Sequence, residues 1–284
     1  MKKLYISTGG LRDLTPIQAI KKLNQNNIFN IELSGGKYEK NIEKKILKIN
    51  NKNNIRTHNY FLYPKKDFVI NLASEDKLVV KKSVNLIKKN ILLAKKINSQ
   101  FVSFHAGFRF DIKPHKLGKP IDKENIITEM RALKNFRKNL NNLVTFSKKN
   151  GIKILIENNV LSFKNFHNFK CNPFLLCSPN QIQKFFKTKI PNVFFLMDVA
   201  HFKVTCKTLK IDLITSYKKI LKFIDAYHLS DNNGFADTNS KITKRSWFMK
   251  HLKKNINYFT LEVYSKNFNL LKKQVNLVEK IIND

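Results

Sequence analysis

The chain has 284 residues, 42% hydrophobic and 11% aromatic, which is apolar matter enough for a full core and excludes a mainly disordered chain. No apolar run approaches the ~20 residues of a membrane-spanning helix, and eight Gly with seven Pro exclude collagen-like or low-complexity architecture. A net charge of +34 ordinarily points to nucleic acid or an anionic membrane, but only six of the 54 basic residues are Arg and Lys recurs with Asn, Ile and Phe throughout, so we read the charge as compositional bias at solvated positions.

Taken in chain order, strand-like and amphipathic helix-like runs alternate. Leu4–Thr8 reads as a strand and Thr15–Asn27 as a helix, followed by Phe29–Leu33 and Asn41–Asn50, then Asn54–His58 and Lys77–Ile97. Phe101–His105 and Ile126–Lys149 come next, then Ile152–Glu157 and Pro179–Lys187, and Val193–Asp198 with Asp212–Lys222. Ile224–His228 pairs with Lys244–Lys254, and Tyr258–Val263 with Leu270–Ile282. Eight such units predict an α/β chain folded as a single (β/α)8 TIM barrel over residues 1–284. An open doubly wound sheet is the runner-up, although Thr8-Gly9-Gly10 is too short for its nucleotide-binding turn. Long loops are expected after strands four and five, at Arg109–Lys123 and Asn158–Ser178, as lid or substrate wall. Cys171, Cys177 and Cys206 are an odd number without zinc-ribbon spacing, which argues against disulfides and for a soluble protein of the reducing cytoplasm. The opening Met1-Lys2-Lys3-Leu4 runs straight into a strand, so no processed leader is expected.

Chemistry-bearing residues gather at the strand ends. Four of the seven histidines, His58, His105, His201 and His228, lie at or just past a strand, and Glu32, Glu157, Asp198 and Glu262 close other strands. Each carboxylate follows an apolar run, where an unpaired charge is costly to bury. A barrel brings all the C-terminal strand ends to one mouth, and acids crowded there with imidazoles call for a cation. This oxygen and nitrogen donor set suits Mn, Mg, Co, Fe or Zn. Glu157, Asp198, His228 and Glu262 are the expected metal ligands; Glu32, His58 and His105 are candidates for ligation or substrate contact. His115, His167 and His251 read as ordinary surface residues.

The order Glu157, Asp198-Val199-Ala200-His201, His228-Leu229-Ser230-Asp231 and Glu262 resembles the xylose isomerase-like barrel superfamily, which includes sugar phosphate isomerases and epimerases and the endonuclease IV family. The resemblance covers essentially the whole chain, and Arg56-Thr57-His58-Asn59-Tyr60 and Ser103-Phe104-His105-Ala106-Gly107-Phe108 also look like its third- and fourth-strand motifs. It implies one divalent ion on Glu157, Asp198, His228 and Glu262, with His201 facing substrate or a further metal. It further implies proton transfer by Glu157 and Glu262 through a metal-stabilised enediolate of a sugar or sugar phosphate. The sequence departs from ketose 3-epimerases, which carry an Arg and a Glu where Gly234 and Phe163 stand. The alternative is an endonuclease IV-like hydrolase using zinc at abasic DNA. His58, His105 and His201 match its extra ligands, and Asp237-Thr238-Asn239 resembles its last motif with Asn in place of the final His. We therefore expect a small carbohydrate substrate, contacted by His201, His105, His58, Glu32 and Asp237, with nucleic acid as the lesser alternative and no membrane. Asn232-Asn233-Gly234 with Lys241, Lys244 and Arg245 is a candidate phosphate seat.

Overall fold

A computed structural model describes residues 3–116, 119–122 and 124–283. Leu117, Gly118 and Lys123 of the first expected long loop, and Met1, Lys2 and Asp284 at the termini, lie outside the described residues.

Side chains at the helix starts set where helices begin. Thr15 accepts from the Gln18 amide while Gln18 bonds back to the cap; Ser178 and Gln181 repeat this arrangement, and Pro16 and Pro179 open the two helices. The chain runs β1 (Lys3–Ser7), α1 (Pro16–Asn24), β2 (Asn30–Leu33), α2 (Ile42–Ile49), β3 (Asn54–His58), α3 (Lys77–Lys96), β4 (Phe101–His105) and α4 (Glu129–Lys149). It continues through β5 (Lys153–Glu157), α5 (Phe163–Phe169), α6 (Pro179–Lys187), β6 (Val193–Asp198), α7 (Val199–Thr208), α8 (Leu213–Ile220), β7 (Ile224–Leu229), β8 (Tyr258–Leu261) and α9 (Phe268–Asn283). The strands pair in sequence order, all parallel, and β8 returns to β1 to close an eight-stranded barrel. Closure leaves no sheet edge, so the doubly wound alternative is excluded.

Strand alternation sorts the barrel interior into layers. Phe101, Leu155, Leu196 and Ala226 form a buried cluster inside the lower barrel. Two residues further along those same strands stand Ser103, Glu157, Asp198 and His228, also buried and on the same inner face. The larger core lies between sheet and helices.

The long loops after β4 and β5 form walls tied to each other. Phe108 bridges to Phe174, the Arg109 amide donates to the Pro173 carbonyl at 2.9 Å, and the Arg109 guanidinium bonds the carbonyls of Ile127 and Asn172, both at 2.7 Å. Beneath them Val69, Phe108, Ile112, Ile121, Leu161, Phe169, Phe174 and Cys177 make a separate apolar cluster.

Three elements depart from the sequence reading. The expected helix Lys244–Lys254 is a run of turns. There the Ser246 hydroxyl accepts from the Thr243 amide and donates to Asp231 Oδ2 at 2.6 Å, bonds that compete with a helical ladder. The helix α7 was not anticipated because it starts directly at the end of β6 and is buried nearly all round, so it shows no amphipathic stripe. The short α5, capped by Ser162, lies within the expected second loop. Among the described residues no helix is long and apolar enough to cross a membrane.

Candidate active site

Glu157, at the end of β5, is the hub of the barrel mouth. Its Oε2 lies 3.1 Å from His58 Nε2 and 3.6 Å from His105 Nδ1, and its Oε1 lies 3.3 Å from His228 Nδ1 and 3.6 Å from His201 Nδ1. Glu262 stands just past β8, with Oε2 3.2 Å from His228 Nδ1; the Ser7 and Tyr264 hydroxyls donate to its Oε1 at 3.4 and 3.3 Å. Apart from His201, which lies on α7, these groups stand at or next to a strand end, so barrel closure brings them together.

Asp198 and His201 are fixed by their neighbours. The Asp198 side chain caps α7, accepting from the His201 amide at 2.7 Å. Asn158 clamps the same corner: its amide oxygen accepts from the Asp198 N–H at 2.8 Å and its Nδ2 donates to the Asp198 carbonyl at 3.1 Å. The Asn158 carbonyl accepts from His201 Nδ1 at 2.9 Å, which directs His201 Nε2 to Asp237 Oδ2 at 3.2 Å.

Glu32 and His58 sit lower than the residues that line the mouth. Glu32 is 1% exposed; its Oε2 is ion-paired with Arg56 Nε at 2.9 Å and accepts from the Thr260 hydroxyl at 3.0 Å, and its Oε1 lies 3.0 Å from His228 Nε2. Arg56 rests on the Tyr5 ring, 3.9 Å from its centroid, and donates to the Phe259 carbonyl. His58 Nδ1 is 3.0 Å from the Ser103 hydroxyl. His105, His201 and Asp237, by contrast, line a cavity of about 600 Å³ that opens above the centre. Asn239, also buried, does not join the His201–Asp237 pair. Lys241, Lys244 and Arg245 are exposed, and the Asn232 amide is spent on Ala200 and on closing its own turn at Gly234. His115 and His167 are exposed and His251 half-buried, away from the centre.

Burial opposes every charge in this centre; it prevails at Asp198 and His105, and the neighbours prevail at Glu157, His228 and His201. Burial pushes the Asp198 carboxyl up to about 8; His201 opposes the rise, and Glu157, Asp237 and Glu262 add to it. Burial also pushes His105 down to about 4, leaving a neutral imidazole at neutral pH. Glu157 withstands burial and stays well below the usual carboxylate range because His105, His228 and His58 surround it. His228 and His201 withstand burial in the other direction: Glu32, Glu157 and Glu262 hold the first well above its ordinary value, and Asp198 and Asp237 the second.

These residues fit a divalent cation. Donor atoms of Glu157, Asp198, His228 and Glu262 all lie within 4.8 Å of one another, and His58, His105 and Glu157 form a second such group. Both Glu157 oxygens, Asp198 Oδ2 and both His228 nitrogens are buried with no hydrogen-bond partner of good geometry. Donor atoms that approach to 3.2 and 3.3 Å without aligned N–H bonds could hold a cation between them.

The family described as the xylose isomerase-like TIM barrel matches residues 26–278. This chain belongs to that family. Solved structures with the same fold include a D-tagatose 3-epimerase-like protein, 19% identical, with TM-score 0.72 over 100% of this chain and 97% of that one. D-psicose 3-epimerase from Clostridium cellulolyticum H10, solved with D-tagatose, is 11% identical, with TM-score 0.67 over 99% of each chain. The IOLI protein with a bound zinc atom is 14% identical, with TM-score 0.65 over 99% of this chain and 98% of that one. No curated protein matches by sequence.

Several residues of this xylose isomerase-like barrel escaped the sequence reading of the site. Asn158 is hidden by the abundance of Asn, although it directly follows Glu157. Tyr264 had a usable signal, since it lies two residues after Glu262 on the same face of the chain. A Cβ on Gly10 would come within 2.9 Å of the Tyr264 Cα, so Gly9 and Gly10 make room for this tyrosine rather than cradling a nucleotide.

Proposed function

We propose that this protein is a divalent-metal-dependent isomerase or epimerase of a sugar or sugar phosphate. The observation that carries the reading is the convergence of Glu157, Asp198, His228 and Glu262 on one point, with two glutamates entering from separate strands. A divalent ion held there would supply Lewis acidity toward neighbouring carbonyl and hydroxyl oxygens of the substrate, acidifying the hydrogen on the carbon between them. Glu157 and Glu262 would remove that proton and return one at the other face or at the adjacent carbon. Ser7 and Tyr264 hold Glu262 in position, and His201, its tautomer set by Asn158, presents Nε2 to a substrate oxygen. Glu32, buried beside His228, would balance the charges of His228 and Arg56. The epimerase neighbours support this class of substrate.

The test is solvent-isotope exchange. Metal-loaded protein incubated in D2O with a panel of ketoses, aldoses and their phosphates is expected to wash deuterium into a carbon beside the carbonyl of one of them, read by NMR. Glu157→Gln and Glu262→Gln should each lower the rate by about 100-fold or more. Exchange retained in both variants would overturn the assignment.

One observation favours a second reading. The His58, His105 and Glu157 group shares Glu157 with the first, an arrangement suited to two cations and to hydrolysis of a phosphodiester. Metal-dependent cleavage of an abasic-site duplex, with no isotope exchange into any sugar, would select that reading.

A further inference from the structure

The cavity above the centre, about 600 Å³, falls in the size range of drug-sized ligands and exceeds what one sugar ring fills. The ionisable side chains nearest the centre are His105, His201 and Asp237, with Asn59, Asn159, Ser162 and Asn165 as the neutral polar residues of the lining. The walls are Tyr60, Phe108, Ile112, Ile121 and Phe174. Two of the wall amides are in part committed: Asn159 Nδ2 donates to the Gly107 and Leu175 carbonyls at 3.0 and 2.9 Å, and Asn165 Oδ1 accepts from the Ile121 amide at 2.9 Å. Sugar hydroxyls pressed against the stretch formed by Tyr60, Phe108, Ile112, Ile121 and Phe174 would lose water and gain few partners.

Two phenylalanines complete the rim from separate loops. Phe163, at the start of α5, and Phe235, after β7, are 56% and 62% exposed. Of the phenylalanines this exposed among the described residues, only Phe29 lies elsewhere. Each is backed on one side, Phe163 by the stacked His167 ring and Phe235 by Lys207 Nζ 3.5 Å from its centroid. Exposed rings concentrated at the mouth of one apolar cavity are surface held ready for an apolar face.

Resting on the proposed reaction at the floor, we infer that the substrate is a sugar bearing a flat apolar substituent, of aryl type. Its sugar reacts over Glu157 and Glu262 while the substituent occupies the walls and stacks at Phe163 and Phe235. Lys119 and Lys164 also border the cavity, but both are exposed and belong to the solvated lysines found throughout the chain.

Titration calorimetry on the full-length, metal-loaded protein tests this. The probes are phenyl β-D-glucopyranoside and phenyl β-D-galactopyranoside, the matching methyl glycosides, phenol, and D-glucose 6-phosphate. The phenyl glycosides should bind about tenfold or more tightly than their methyl partners, and phenol alone should bind saturably. The double variant Phe163→Ala with Phe235→Ala should abolish most of that preference, with circular dichroism unchanged because both rings are exposed; Phe163→Tyr should retain it. Equal affinity of phenyl and methyl glycosides, tighter binding of the phosphate, or no saturable binding of any phenyl probe would overturn the inference. If the proton-transfer reading alone fails, isotope exchange is absent while the phenyl preference persists.

Discussion

At the scale of single residues, the centre is built from donors held by a ring of supporting bonds. Asn158 illustrates this, since one side chain fixes the backbone of Asp198 on both sides and its carbonyl fixes His201. It is a positioning residue, and Asn158→Ala should weaken metal binding by about 10- to 100-fold in a competitive chelator titration while far-UV circular dichroism stays unchanged; unaltered metal affinity would contradict the role. Most of the histidines and acids were legible in the sequence because they end or closely follow an apolar run, where a polar residue needs a reason. Depth was not legible. Alternation tells that Glu32 and His58 face inward, but only the structure shows Glu32 fully buried between Arg56, Thr260 and His228.

At the scale of elements, the strand and helix alternation was readable because parallel strands buried on both faces are continuous apolar runs and most covering helices are amphipathic. The failures share a cause. In α7 burial on nearly every side erases the stripe, and in 244–254 a long-range bond from Ser246 to Asp231 outweighs local periodicity. Caps, by contrast, act locally, and Thr15 and Ser178 announced their helices through Pro at the next position. Ser178→Ala should remove about 1 kcal/mol of stability, measured as a lowered urea midpoint at constant slope. An unchanged midpoint would show that the Gln181 contacts to the Cys177 and Ser178 amides hold this helix start without the hydroxyl.

At the scale of the whole molecule, barrel closure converts residues scattered from Glu32 to Glu262 into one centre, and the tied loops after β4 and β5 raise apolar walls around it. Burial raises the Asp198 pKa to about 8, and Glu157 and Glu262 add to the rise, while His228 and His201 are held well above their ordinary values, a concentration of buried charge that a divalent cation would relieve. Elemental analysis of the purified protein, reloaded with divalent metal and desalted, tests that claim most directly. We predict at least about one ion per chain, lost in His228→Ala while circular dichroism is preserved. Absence of bound metal in the reloaded wild-type protein would contradict the account.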